Sequence, residues 1–341
     1  MSTVTSVPGV LGRARDLVHP ALVAAVERLD PEMRPVAAYH LGWRDEHGAP
    51  TPGGGGKGVR PALAVLAAEA AGADAGTAVP GAVAIELVHN FSLLHDDVMD
   101  GDRERRHRPT VWALYGVASA VLVGDALNTL ALQVLQDADV DAARRAAATA
   151  ELTDATAAMI GGQAQDMAFE SRSDVSVDDC LAMVAGKTGA LLAGAAVVGA
   201  CLAGAPPDAV EALRRYGAEL GVAFQAADDL LGIWGDPERT GKPRGSDLAA
   251  RKKSLPVVHA LAAGGPEAAE LRRLLANGPL DEAAVARGTE LVERTGARRA
   301  TEQLARRRLD AACRALEEAP LVPAARDELI DLARFVVERE F

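Results

Sequence analysis

Aromatic side chains are scarce in this chain, 3% of 341 residues, yet hydrophobic residues make up 49%. A core must then come mainly from Ala, Leu and Val, which favours close-packed helices over a sheet. Positive charge is in deficit as well: 36 Lys and Arg stand against 48 Asp and Glu, a net charge of −12, with a pI near 5.1. That balance argues against a nucleic-acid binder, whose affinity rests on Lys and Arg meeting phosphates. A phosphate ligand would need locally focused positive charge and metal. The three cysteines, Cys180, Cys201 and Cys313, form neither a metal-ligand spacing nor a disulfide framework and fit a reducing compartment. The N-terminal M-S-T-V-T-S-V-P-G-V-L-G-R-A-R-D lacks a basic start followed by an apolar run, so no secretory signal is read and the cytoplasm is expected. One charge-free run, Thr188 to Pro207, is mostly Ala and Gly, and is read as a buried central helix rather than a membrane span.

Strand-type alternation is missing, whereas helical periodicity runs throughout. Helices are expected over about 10–29, from near Pro61, over 81–101, 118–136, 141–168, 177–203 and 208–233, with loops at 43–58 and 235–253. Amphipathic helices broken around 264–266 and 277–281 close the bundle. With neither linker nor repeat, the expectation is one all-α domain over 1–341, its first ten or so residues flexible.

What the chain does carry is a concentration of carboxylates at the ends of apolar helices. E-L-V-H-N-F-S-L-L-H-D-D-V-M-D-G-D, Glu86 to Asp102, is apolar at helical spacing until Asp96, Asp97 and Asp100. Asp96 and Asp100 lie about 40° apart on one face, and His89 falls on the same stripe. Such carboxylates repel one another unless a cation neutralises them, and all-oxygen ligands suit Mg²⁺, which completes its shell with water and substrate phosphates. A second pair, Asp228-Asp229, ends another apolar helix, F-Q-A-A-D-D-L-L-G, and a basic turn, R-E-R-R-H-R-P-T, follows the first cluster. Together they describe a pocket for a diphosphate bridged by several metal ions. Gln163, Asp166, Lys187, Thr188 and Gln225 interrupt other apolar helices. Unpaired buried polar groups cost on the order of 1–3 kcal/mol, so these are expected to face a common polar cavity.

With G-K-x-x-R-P, H-x(5)-H-D-D-x-x-D, R-R-x-x-P-T, G-Q-x-x-D, K-T-G, F-Q-x-x-D-D and G-K-P before D-L-x(3)-K-x-S-L-P, all in order from Lys57 to Pro256, the chain resembles the trans-isoprenyl diphosphate synthases of the polyprenyl synthetase family. The resemblance implies an all-α bundle of the isoprenoid synthase type around a central diphosphate and Mg²⁺ cavity. The implied reaction is head-to-tail condensation of isopentenyl diphosphate with an allylic diphosphate (dimethylallyl, geranyl or farnesyl). By similarity, Asp96, Asp100 and Asp228 hold Mg²⁺ with Asp97 and Asp229 supporting, three ions in all, for which Mn²⁺ can substitute. Arg105, Lys187 and Lys242 grip the allylic diphosphate with Lys252 nearby. Lys57, Arg60, His89 and Arg106 take isopentenyl diphosphate, and the oxygens of Thr188 and Gln225 face the allylic cation. A homodimer is implied, without nucleic acid and without a membrane span.

The family's second cluster usually reads D-D-x-x-D, and here its last position is Gly232. Loss of that supporting carboxylate is expected to weaken the metal site by roughly 10–100-fold. Two alternatives stand beside a synthase, a class I terpene cyclase on the same scaffold and a non-catalytic partner subunit, and the set around Lys57 and Arg60 weighs against a cyclase. Phe91 and Ser92, five and four positions before the first Asp, match the family's chain-length positions. An aromatic followed by a small residue resembles enzymes that stop at C20, so geranylgeranyl diphosphate is the expected product.

Overall fold

A computed structural model describes residues 8–51, 56, 58–237, 243–276 and 278–338. The expected flexible start lies largely outside them, as do Lys57 and Lys242. The chain forms two compact units, neither a continuous stretch: the first takes Met1–Thr156, Ala193–Arg214 and Glu318–Asp331, the second Ala157–Leu192, Arg215–Glu317 and Leu332–Phe341.

The first unit begins with α1 (Pro8–Val26), α2 (Arg34–His40), α3 (Val59–Ala70) and α4 (Val79–Met99). Proline in the first turn starts both α2 and α4, where its missing N–H costs nothing. A two-residue antiparallel hairpin, β1 (Glu104–Arg105) with β2 (Arg108–Pro109), leads into α5 (Val111–Tyr115), α6 (Val117–Gln136) and the start of α7 (Ala142–Ser171). Neither α2 nor the hairpin was expected, since each is too short to show a period. Small residues set the packing: Ala62, Leu63 and Ala64 of α3 have no exposure, and a Cβ on Gly199 would overlap the carbonyl of Ala64. Gly199 lies in α9 (Ala190–Ala203), whose Ala195, Ala196, Val197 and Val198 are 0% exposed, so the charge-free run is the core helix expected of it.

The second unit holds the rest of α7, α8 (Val177–Val184), a π-helical turn (Ala185–Gly189) and most of α10 (Pro207–Trp234). Ser176 caps α8 in a capping box with Asp179. The short α11 (Ser246–Ala249) interrupts the loop expected at 235–253, and α12 (Leu255–Ala262), α13 (Gly265–Ala276), α14 (Glu282–Arg294) and α15 (Ala297–Glu317) follow. The last helix, α16 (Pro323–Glu338), takes residues from both units. Ile233, Leu248, Val257, Leu271 and Leu291, all 0% exposed, centre this unit's core.

Among the described residues three helical stretches are long and apolar enough to cross a membrane, where only one drew attention in the sequence. The stretches Ala75–Met99 and Val177–Ala203 bury 61% and 67% of their most apolar windows, whereas Val117–Gln136 buries only 33%.

Candidate active site

In the first unit, α4 is apolar over most of its length, so residues on its inner face are carried into the core whatever their chemistry. Asp97 is one of them, at 1% exposure. Burial raises its carboxyl above the usual range, and Arg105 opposes the shift. The Nε of Arg105 donates to Asp97 Oδ1 at 2.7 Å. Oδ2 has no hydrogen-bond partner among the described residues. Asp96 is half-buried and Asp100 exposed, one turn apart, with the Asp100 N–H donating to the Asp96 carbonyl at 2.8 Å. The adjacent aspartates thus have different surroundings: Asp97 anchors an arginine, while Asp96 and Asp100 remain at the edge of the fold.

The hairpin carrying Arg105 turns through Arg106 and His107, both left-handed at φ of 52° and 60°. Two successive positive φ values define the tight hairpin turn that Asn-Gly ordinarily fills, and non-glycine residues there are strained. The turn is held from outside: the Arg108 guanidinium lies 4.3 Å from the Tyr39 ring centroid, and the Tyr39 hydroxyl donates to the Pro109 carbonyl at 2.8 Å. A Cβ on Gly56 would come 3.1 Å from Arg106 Nη2. The chain preceding Lys57 therefore runs close to that guanidinium.

Of the residues assigned to isopentenyl diphosphate, Arg60 and His89 are in contact, Nη1 to Nε2 at 3.3 Å. Burial, then the positive fields of Arg60 and Arg106, hold His89 well below its usual pKa, so it is neutral and its Nε2 can accept from Arg60. The Nε of Arg60 is buried without a partner among the described residues. A buried guanidinium with an unused donor and a second arginine bearing on the same histidine have the chemistry to receive an anion.

His40, which carried no signal in the sequence because it ends a seven-residue helix, joins this cluster. With Asn90, Asp97, Arg105 and Arg106 it lines a cavity of about 240 Å³. Burial, helped by Arg105 and Arg106, lowers its pKa to about 3. The sign of the linkage follows. Below the unfolded value of 6.5 the unfolded chain takes up protons that native His40 and His89 refuse, so stability falls with pH through that window, down to about 3 for His40. Between pH 7 and 5 the loss for His40 is on the order of 1–2 kcal/mol. Urea unfolding at the two pH values should show it, and His40→Gln should reduce the difference. An equal pH dependence in that variant would rule out His40 as a source.

In the second unit, α10 carries Asp228, exposed, and Asp229, 3% exposed, ahead of its end at Trp234. Both oxygens of Asp229 are engaged: Gln225 Nε2 donates to Oδ1 and the Leu255 N–H to Oδ2, each at 2.8 Å. Gln225 Oε1 in turn accepts from the Thr188 hydroxyl at 2.8 Å. Burial pushes Asp229 up to about 7, against the pull of Lys252 and these two donors. Burial alone would lower Lys252, but Asp229 and Asp247 outweigh it and the net shift is upward. Lys252 is therefore a cation embedded among carboxylates.

Lys187 reaches Asp166 at 2.6 Å. The two residues meet because helix backbones approach closely: a Cβ on Gly162 of α7 would overlap the Lys187 nitrogen, and one on Gly221 of α10 would overlap Gly189. The π-turn between them aims Lys187 at Asp166 and Thr188 at Gln225. Of the five residues expected to share a polar cavity, Asp166, Lys187, Thr188 and Gln225 line one of about 30 Å³ in this unit together with Asp229 and Lys252, whereas Gln163 does not. Ser254 of the K-x-S-L-P stretch, to which the motif gave no role, also lines it, and its buried hydroxyl has no partner among the described residues. Gln163 is buried with both amide atoms likewise unpartnered.

No group of three or more His, Cys, Asp or Glu positioned for one metal ion is found among the described residues. Asp96 with Asp100 in the first unit, and Asp228 in the second, each offer carboxylate oxygens and no softer donor. That suits Mg²⁺, which keeps several waters and takes substrate phosphates alongside one or two carboxylates.

The sequence profile of the polyprenyl synthetase family matches residues 49–292. A (2E,6E)-farnesyl diphosphate synthase of Mycobacterium tuberculosis is 51% identical over 338 residues, covering 97% of this chain and 93% of the relative. A geranylgeranyl diphosphate synthase of the same organism is 43% identical over 341 residues, covering 98% and 96%. The crystal structure of a polyprenyl synthetase from Streptomyces coelicolor A3(2) matches with a TM-score of 0.93 at 52% identity, over 97% of this chain and all of that one. The chain belongs to the polyprenyl synthetase family and is a prenyltransferase.

Proposed function

We propose that this enzyme condenses isopentenyl diphosphate with an allylic diphosphate and stops at geranylgeranyl diphosphate. Asp96, Asp100 and Asp228 are assigned to Mg²⁺, which would neutralise the charge developing on the departing diphosphate. Asp97 and Asp229, whose oxygens face Arg105, Gln225 and Leu255, act as supports. Arg105, fixed through its Nε, meets the allylic diphosphate with its terminal nitrogens, alongside Lys187, Lys252 and Lys242. Because the Thr188 hydrogen is donated to Gln225, the lone pairs of its oxygen are available to a neighbouring cation. Arg60, His89 and Arg106, with Lys57, receive isopentenyl diphosphate. An anion there relieves the repulsion between the two arginines, and a cyclase would have no use for such a site.

The product assignment rests on one observation at α4. The ring of Phe91 is 8% exposed and packs edge-on against His95 at 4.9 Å, and a Cβ on Gly124 of α6 would overlap that imidazole. Phe91 is thus braced from behind, while its neighbour on the Asp96 stripe is only Ser92, whose hydroxyl donates back to the His89 carbonyl. The 51% identity to a farnesyl diphosphate synthase favours a second reading, arrest at C15. Dimethylallyl, geranyl and farnesyl diphosphates offered separately decide between them: elongation of farnesyl diphosphate to C20 supports the first, and its refusal the second. Phe91→Ala is expected to lengthen the products by one or more C5 units; an unchanged distribution would remove Phe91 from the assignment.

We further propose a homodimer in the cytoplasm. Val117, Val121, Leu122 and Leu132 leave α6 with an apolar surface at 37–56% exposure, continued by Leu114 and Tyr115 of α5. A second copy would remove that surface from water. The unpaired cysteines fit a reducing compartment. Light scattering on a sizing column should give twice the chain mass, and Leu122→Glu should shift it toward the single chain; a wild-type mass of one chain would end the dimer reading.

A further inference from the structure

We infer that Arg108 is a positioning residue for both substrates: it clamps the turn at Arg106 and His107 and so sets where the guanidinium groups of Arg105 and Arg106 stand. The inference rests on the assignment of Arg105 to the allylic diphosphate and of Arg106 to isopentenyl diphosphate. The hairpin that carries them has little to hold it from within. Its strands are two residues long and pair Glu104 with Pro109 and Arg105 with Arg108. A lone two-stranded hairpin is at best marginally stable in water. Residues directly opposite share one face, so Arg105 and Arg108 set like charges against each other. Both residues of the turn are left-handed at φ of 52° and 60°, and neither is the glycine or asparagine that such a turn favours. Local sequence thus opposes the hairpin, and contacts from outside must keep it.

Those contacts give the two opposed arginines separate anchors. Arg105 is bound by Asp97 of α4, whereas Arg108 goes to α2 and the loop that follows it. Its guanidinium lies over the Tyr39 ring, and its Nη2 donates to the Arg44 carbonyl at 2.6 Å. Both anchors of Arg108 are themselves fixed. Tyr39 is 3% exposed and packs edge-on against Tyr115 at 5.6 Å. The Arg44 carbonyl belongs to a loop closed by a bridge between Arg44 and Pro50 and by the Asp45 N–H, which donates to the Ala49 carbonyl at 2.9 Å. Asp45 Oδ1 accepts from the N–H groups of His47 and Ala49 at 2.9 and 2.8 Å, and the Arg44 side chain folds back to donate to the Gly48 carbonyl at 2.8 Å. This loop carries none of the residues assigned to substrate, yet it presents a rigid acceptor to Arg108. Because one hairpin bears both substrate arginines, one clamp governs both diphosphate sites.

Arg108 lines the same cavity as Arg105 and Arg106, so direct contact with a diphosphate is the competing role, and a glycine in the turn separates the two. The constants kcat and KM would be measured for isopentenyl and allylic diphosphates, with thermal unfolding alongside, in the wild type, Arg105→Ala, Arg108→Ala, His107→Gly and the double variant His107→Gly/Arg108→Ala. Arg108→Ala should lower kcat/KM for both substrates on the order of 10–100-fold, because the turn that places both guanidinium groups is no longer held. His107→Gly should keep wild-type constants and melt no lower than the wild type, since glycine takes a positive φ without steric cost. In the double variant the turn holds its shape without the clamp, and kcat/KM for both substrates should return to within about tenfold of the wild type. Should Arg108→Ala fail to fold, Arg108→Met, which keeps the long stem and loses the donors, takes its place in the same comparison. Unchanged KM values in Arg108→Ala with lowered melting would leave Arg108 a purely structural residue and overturn the inference. A loss that His107→Gly does not restore, or one confined to a single substrate, would indicate direct contact and overturn it as well. In either case an impaired Arg105→Ala leaves the substrate assignment standing; wild-type constants in Arg105→Ala would overturn both.

Discussion

Replacing Asp96 with alanine lowers kcat by about three orders of magnitude and leaves the fold in place. A metal ion stabilises charge on a departing phosphoryl oxygen by several kcal/mol, and each 1.36 kcal/mol is a factor of ten. Asp96 is half-buried at the end of α4, so its truncation opens no core cavity and changes the unfolding free energy by less than about 1 kcal/mol. The adjacent residue gives a contrasting pattern. Asp97→Ala breaks a 2.7 Å bond to Arg105 and costs about 1.5–3 kcal/mol of stability. Its effect on turnover follows from releasing Arg105. Steady-state kinetics at saturating Mg²⁺ together with urea unfolding distinguish the two variants. Near-normal turnover in Asp96→Ala, or in wild type with Mg²⁺ chelated, would remove the metal from the mechanism.

The second large effect comes from adding one methyl group at a glycine that itself carries no side chain. Gly162→Ala places a Cβ against backbone, 2.8 Å from both Gly186 C and Lys187 Cα, in addition to the overlap with the Lys187 nitrogen. A side chain in the way could rotate, but a backbone can only move as a segment. Overpacking of this kind costs roughly 1–3 kcal/mol. The displaced segment is the turn that bears Lys187 and Thr188, and a shift of about 1 Å in positioning groups costs on the order of a hundredfold in rate. Thermal unfolding should shift several degrees downward and kcat/KM should fall with it. A variant with wild-type melting and turnover would mean that α7 and the turn separate freely.

How much of this was legible in the sequence depended on the range of the signal. The stripe of His89, Asp96 and Asp100 follows from helix geometry alone, and α6, α7 and α10 fall within a few residues of their expected bounds. Helix phase also carries Asp97 about 100° away from Asp96, so its inward course could be read, whereas its partner could not. Arg105 reaches it across a hairpin of two-residue strands, too short to leave a period. His40 was invisible for the same reason, a single histidine on a seven-residue helix. Gly232 was read as a deficit because spacing along one helix was the only evidence. That the carboxylate of Asp247 occupies the space a side chain at 232 would need is a matter of tertiary packing, which spacing along the helix does not encode. The partition into two units, each drawn from separated stretches, is likewise a property of contacts and not of composition.

The π-turn at Ala185–Gly189 bears on how the chain tolerates change in length. Such a turn holds one more residue than the α-helix around it, so it acts as an insertion absorbed without a loop. In an uninterrupted α-helix, neighbours such as Lys187 and Thr188 would diverge by about 100°. The wider turn lets one meet Asp166 and the next meet Gln225. Deleting a single residue there would restore a regular helix of higher intrinsic order while rotating everything on one side of the cut by about a quarter turn. The irregularity is therefore a phase adjustment, and a more regular helix would be a misaligned one.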